Sequence, residues 1–137
     1  ALRSALFREP DLRKKLELIL HPLVRKEVQE TRTAHGPISA IVAEIPLLFE
    51  SGWENDFDVV VTVRADEKTL VDRVVLRDGD DPENVQGILA TQMGQEDKCR
   101  KSDYIIDNSG EWESTEQQVA DLAAKLKTKN REIRDVK

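Results

Sequence analysis

Arg73 and Arg77 stand four residues apart, on one face of any helix that carries them. Like charges at that spacing repel, so the pair marks either a place for an anionic ligand or two exposed arginines answered by Asp72, Asp78, Asp80 or Asp97. Lys98, Arg100 and Lys101 follow further along. Basic residues at both ends of a helical flap can close over a polyphosphate, supplying charge where a transferring phosphoryl group develops it and excluding water. Glu44 is a second chemical feature: it ends the apolar run Ile41-Val42-Ala43 and precedes Pro46-Leu47-Leu48-Phe49. A carboxylate at a strand end with an apolar turn beyond it is either a capped core strand with one surface glutamate, or the rim and wall of a pocket at the edge of a parallel sheet. Asn108-Ser109-Gly110, after the apolar Tyr104-Ile105-Ile106, is a third such place and also a plain turn signal.

The elements that must position these residues alternate along the chain. Leu12, Leu16, Ile19, Leu20, Leu23 and Val24 recur at helical spacing and predict an amphipathic helix over about residues 11–32, with Asp11 as its N-cap. Pro22 inside it must bend or locally open that helix. A strand is expected from near Ile38 to Glu44, with Pro46 ending any ladder, and a second from Val59 to Val63. Asp66 then caps a helix to about Arg77 with Leu70, Val71, Val74 and Val75 turned inward. Asp78-Gly79-Asp80 breaks it, and Asp81-Pro82-Glu83 starts another that runs to about Gln92. A short charged helix covers Glu96 to Lys101, and Tyr104 to Ile106 form a third strand. The last helix, about Ser114 to Lys127, is expected to bury Val119, Leu122, Ala123 and Leu126, leaving 128–137 as a charged, disordered tail. Strands separated by helices predict an α/β fold.

Composition excludes several functions. The 137 residues carry a net charge of −6 and only 4% aromatic residues, which argues against a general nucleic-acid binder. The single cysteine, Cys99, rules out an internal disulfide and a cysteine-based metal site, and it suits a reducing, cytoplasmic setting. No apolar run approaches the ~20 residues needed to span a bilayer, so no membrane partner is expected.

Taken together the motifs resemble dephospho-CoA kinase. The resemblance rests on the segment from Leu2 to Arg25 with its Leu20-His21-Pro22, on Glu44 to Trp53 (EIPLLFESGW), on Arg73 to Asp78 (RVVLRD), on Gln92-Met93, on Glu96 with Lys98, and on Ser102 to Gly110 (SDYIIDNSG). Within that span Gly94 stands where the family often has Pro, Leu70 where Gln is frequent, and Ser102 where Ala is usual.

The resemblance implies a P-loop-kinase-like three-layer parallel sheet with a helical lid over about 73–101, inside a partial kinase domain covering 1–127. It implies ATP-dependent phosphorylation of the ribose 3′-hydroxyl of dephospho-CoA, giving coenzyme A. Arg73 and Arg77 would act on the ATP phosphates from the lid, and Glu44 would hold a water of the Mg²⁺ shell or orient the accepting ribose. His21, Pro22 and Arg25 would flank the CoA substrate, although His21 also reads as a capped or core histidine at the kink. Pro46, Leu47, Leu48 and Phe49 would wall the acceptor pocket with Glu50 at its rim, and Asn108, Ser109 and Gly110 would meet the adenine. The family's phosphate loop, GxxxxGK[ST], is absent from these residues. The chain thus matches the C-terminal two-thirds of such a kinase, without the central strand. On this basis the chain alone is expected to hold no tightly bound ATP or Mg²⁺, to lack turnover, and to associate with itself through open strand edges. The alternative is a noncatalytic kinase-derived module that binds a CoA-like ligand or a protein.

Overall fold

The computed structural model describes residues 10–34 and 40–135, without the side chains of 10–15, 17 and 129–135. The chain forms two compact units, Ala1–Glu44 and Ile45–Lys137, each taken by itself below.

In the first unit, α1 spans Pro10–Ala34. Asp11 falls inside the helical span instead of capping it, and Leu12 lies outside the described side chains. Pro22 does not interrupt the helix. The proline removes one backbone donor, and the long helical flanks on either side carry the segment through that loss. Of the apolar stripe predicted to pack inward, Leu16 is half-buried, while Ile19, Leu20, Leu23 and Val24 are all at least 41% exposed and lie open. The strand expected over 38–44 is not formed: residues 40–44 have no ladder, Val42 is 92% exposed, and 38–39 lie outside the described residues. A strand exists only through its neighbour, and the two strands of the second unit pair with each other.

In the second unit, a turn over 46–52 leads to a short 3₁₀ helix, Glu54–Asp56. Then come β1 (Val61–Arg64), α2 (Glu67–Asp78), α3 (Pro82–Ala90), α4 (Gln95–Lys101), β2 (Tyr104–Asp107) and α5 (Trp112–Asp135). β1 and β2 run parallel with Val61 opposite Tyr104 and Arg64 opposite Asp107. Among the described residues the sheet therefore has two strands where the pattern predicts three. The predicted second strand is shifted towards its C-terminal end, with Val59 and Val60 preceding it.

Local signals explain the helices well. Asp66 caps α2 by accepting the Thr69 N–H at 2.9 Å, and Gly79 closes it at φ +67°, the left-handed conformation that favours glycine. Asp81 caps α3 through the Glu83 N–H, with Pro82 at the first helical position. α3 stops at Ala90, earlier than Gln92, because Thr91 turns its N–H and hydroxyl onto the Ile88 carbonyl. α5 runs to Asp135, so the backbone of 128–135 is helical where a disordered tail is predicted. Leu122 and Leu126 are half-buried, whereas Val119 and Ala123 are exposed. The core comprises Phe49, Trp53, Val60, Ala65, Val71, Val85 and Ile106, with α4 packed on β1, α5 on β2 and α2 on α3.

Candidate functional site

The turn over 46–52 is built by its own backbone. The Leu47 carbonyl accepts from Ser51 N–H (3.0 Å), the Leu48 carbonyl from Trp53 N–H (3.1 Å) and the Phe49 carbonyl from Gly52 N–H (3.1 Å). Gly52 sits at φ +67° and Leu47 at φ +59°, so a branched side chain occupies a conformation that costs it about 1–2 kcal/mol. Pro46 is exposed, and Leu47 and Leu48 are half-buried. Phe49, expected to line a pocket, is buried at 8% exposure, as is Trp53 at 6%.

Glu50 faces α4. Its Oε1 accepts the Met93 N–H at 2.9 Å and lies 3.1 Å from the Lys98 ammonium. Burial pushes the Glu50 carboxyl up. The Met93 N–H, its own backbone N–H and the Lys98 ammonium outweigh that and hold the pKa below its ordinary value. Lys101 stands 3.8 Å from Glu54 and 5.8 Å from the centre of the Phe49 ring. Two of the basic residues read as closing on a phosphate are thus turned towards carboxylates, Glu50 of the turn and Glu54 of the 3₁₀ helix.

The remaining basic residues divide. Arg77 forms a two-pronged pair with Asp78 (2.8 and 3.0 Å), and Arg100 pairs with Asp97 one turn away on α4. Both match the surface-pair alternative. Arg73 instead crosses to the loop after β2 and donates to the Asn108 carbonyl at 2.7 Å. The structure therefore joins two places that sequence singled out separately.

That loop is held from several sides. Ser109 Oγ accepts the Asp66 N–H at 2.9 Å, and Asp107 accepts the Ser109 N–H while its other oxygen meets Arg64 at 3.1 Å. Hydrogen bonds from Ser109, with the Arg64 charge, hold the Asp107 carboxyl below its ordinary range; Thr69 does the same for Asp66. Thr115, buried, donates to Asn108 Oδ1 at 3.0 Å. Gly110 is exposed beyond the loop.

Two glutamines were not singled out by sequence. The Gln95 amide bonds both backbone groups of Ala65, just after β1, at 3.1 and 2.8 Å. The Gln118 amide does the same for Asp107 at the end of β2, at 2.8 and 2.9 Å. Each supplies the donor and acceptor that a further strand residue would give. Nothing in local sequence announces a side chain used this way.

The other expected site residues belong to the first unit. On α1, His21 is half-buried and Pro22 and Arg25 are exposed; Glu44 is exposed at that unit's end. Among the described residues, no group of three or more His, Cys, Asp or Glu is placed to hold a metal ion.

The family model described as dephospho-CoA kinase matches residues 1–114. A dephospho-CoA kinase of Symbiobacterium thermophilum is 40% identical over 123 residues, covering 87% of this chain and 51% of that protein. One from Syntrophotalea carbinolica is 35% identical over 127 residues, covering 91% and 60%. Among solved structures, TT1252 from Thermus thermophilus superposes with a TM-score of 0.71 at 31% identity, over 91% of this chain and 65% of that one. The dephospho-CoA kinase from Campylobacter jejuni gives 0.63 at 26% identity, over 94% and 65%. The chain thus spans between half and just under two-thirds of the proteins it resembles.

Proposed function

The chain belongs to the dephospho-CoA kinase family, and from that premise we propose that it supplies the acceptor wall, the lid and the adenine loop of an enzyme that phosphorylates dephospho-CoA from ATP. The ribose 3′-oxygen attacks the γ-phosphorus, the bond from that phosphorus to the ADP oxygen breaks, and the hydroxyl proton passes to water. The products are coenzyme A and ADP. The observation that carries the reading is the 2.7 Å bond from Arg73 to the Asn108 carbonyl, which brings a lid arginine to the loop assigned to adenine. A guanidinium fixed there keeps its remaining N–H donors for phosphate oxygens.

In this reading Pro46, Leu47 and Leu48 form the acceptor wall, and the strained φ of Leu47 supports it, since strain of this kind gathers at functional sites. Phe49 supports the wall from the core. Glu44 orients the ribose hydroxyl, His21, Pro22 and Arg25 flank the CoA portion, and Ser109 and Gly110 complete the adenine loop. Arg77 leaves Asp78 when nucleotide is present. Mg²⁺, arriving with ATP, would lessen the charge repulsion between the triphosphate and the incoming oxygen. The 137 residues alone, containing no GxxxxGK[ST], are expected to show no turnover.

The test is an assay of the natural polypeptide that contains these residues, with ATP and dephospho-CoA, following ADP release and locating the new phosphate by ³¹P NMR. Phosphate on the 3′-oxygen is expected. The Arg77–Asp78 pair gives some support to the noncatalytic module. Binding of dephospho-CoA with no phosphate transfer by the polypeptide would favour that module.

A further inference from the structure

We infer that Lys98 is a positioning residue for the acceptor wall: through Glu50 it fixes the turn over 46–52 to the sheet, and it does not serve as a phosphate-binding charge of the lid. This rests on reading Pro46 to Leu48 as the wall that meets dephospho-CoA. The Lys98–Glu50 pair is unusual among the described ion pairs. Its side chains are 20% and 21% exposed, whereas each of the others has a partner at least 45% exposed. An ammonium this sheltered and already answered by a carboxylate is a poor candidate for a mobile phosphate contact.

The connection continues on the other side of Lys98. Its carbonyl accepts from Ser102 Oγ at 2.8 Å, and that oxygen lies 2.5 Å from Thr62 Oγ1 on β1. Gln95, at the other end of the same helix, grips Ala65 just past β1. α4 is therefore pinned to β1 at both ends. Lys98 and Lys101, three residues apart and so on one face, reach from it to Glu50 and Glu54. The path runs from β1 through Thr62, Ser102 and Lys98 to Glu50, and then into the strained turn. Ser102, which stands where the family resemblance has Ala, forms one joint of that path.

The test uses Lys98→Met, which keeps the length and removes the charge, Lys98→Arg, which restores charge, and Lys68→Met as a control outside the path. In the 137-residue chain, Lys98→Met is expected to speed amide exchange over 47–53 about tenfold and to move the Glu50 carboxyl titration, read by ¹³C NMR, up towards its ordinary range. Lys98→Arg is expected to restore most of both, and Lys68→Met to change neither. In the natural polypeptide, Lys98→Met should raise KM for dephospho-CoA about tenfold with kcat and the KM for ATP unchanged. Unchanged exchange and titration in Lys98→Met would overturn the inference, as would a rise in KM for ATP in place of dephospho-CoA. A polypeptide that transfers no phosphate sinks the functional reading, while exchange and titration still decide the role of Lys98.

Discussion

α2 and α4 carry basic residues that look alike in sequence and have different fates. On α4, Lys98 and Lys101 reach acidic residues remote in the chain, Glu50 and Glu54, and the first pair is largely sheltered. On α2, Arg77 pairs with its immediate neighbour, while Arg73 reaches across to a backbone carbonyl. A backbone carbonyl leaves the guanidinium's charge unneutralised, and the Arg77 guanidinium, 73% exposed, leaves its adjacent partner open to exchange. A sheltered glutamate does neither. On the function proposed above, the α2 arginines serve a ligand that comes and goes and the α4 lysines belong to the framework that waits for it.

Ways to break this contrast can be ranked by expected effect. Arg73→Ala in the natural polypeptide should lower kcat/KM about 100-fold, as loss of a charge-stabilising donor at a phosphoryl group does; a change below threefold in steady-state kinetics would remove Arg73 from the ligand side. Lys98→Met should destabilise the 137-residue chain by about 2 kcal/mol in urea denaturation, because it strands a sheltered carboxylate. Asp66→Ala, which removes the cap of α2, should lower the thermal midpoint by a few degrees, followed by circular dichroism. Arg77→Ala, by contrast, should leave that midpoint within error, since Arg77 is itself 73% exposed and its pair with the adjacent Asp78 is screened by solvent.

Acid supplies a further test. The folded Glu50 carboxyl titrates below its ordinary value of 4.5, so folding favours its charged form. Its contribution is complete above that ordinary value and is lost as pH falls through the lower folded value. Stability measured by denaturant midpoint should therefore decline below about pH 4.5. In Glu50→Gln the part of that decline due to this carboxyl should disappear.

What was legible in the sequence follows from the range of the forces involved. Caps are local, and Asp66 and Asp81 sit where their patterns put them. β1 and β2 fall within a few residues of their apolar runs, because β-branched residues favour extended backbone and the two runs pair with each other. The strand expected at 38–44 failed for the opposite reason: an extended apolar run becomes a strand only beside a partner, and none is found among the described residues. The exposed stripe of α1 has the same origin, since periodicity tells which face is apolar but not what covers it. At the site, the types Arg73, Glu50 and Asn108 were readable, but which groups they meet was not. Lys98 looked like a lid charge because sequence shows sign and spacing, whereas its role depends on a glutamate far away in the chain. Gln95 and Gln118 left no local signal, because an amide that mimics a neighbouring strand is defined only by where the strand ends.

The most direct measurement is a side-by-side comparison of KM for both substrates in Arg73→Ala and Lys98→Met of the natural polypeptide. The account predicts that Arg73→Ala weakens ATP and spares dephospho-CoA, and that Lys98→Met does the reverse. If both substitutions weaken ATP alike, the two basic helices are one phosphate clamp and the division drawn between them is wrong.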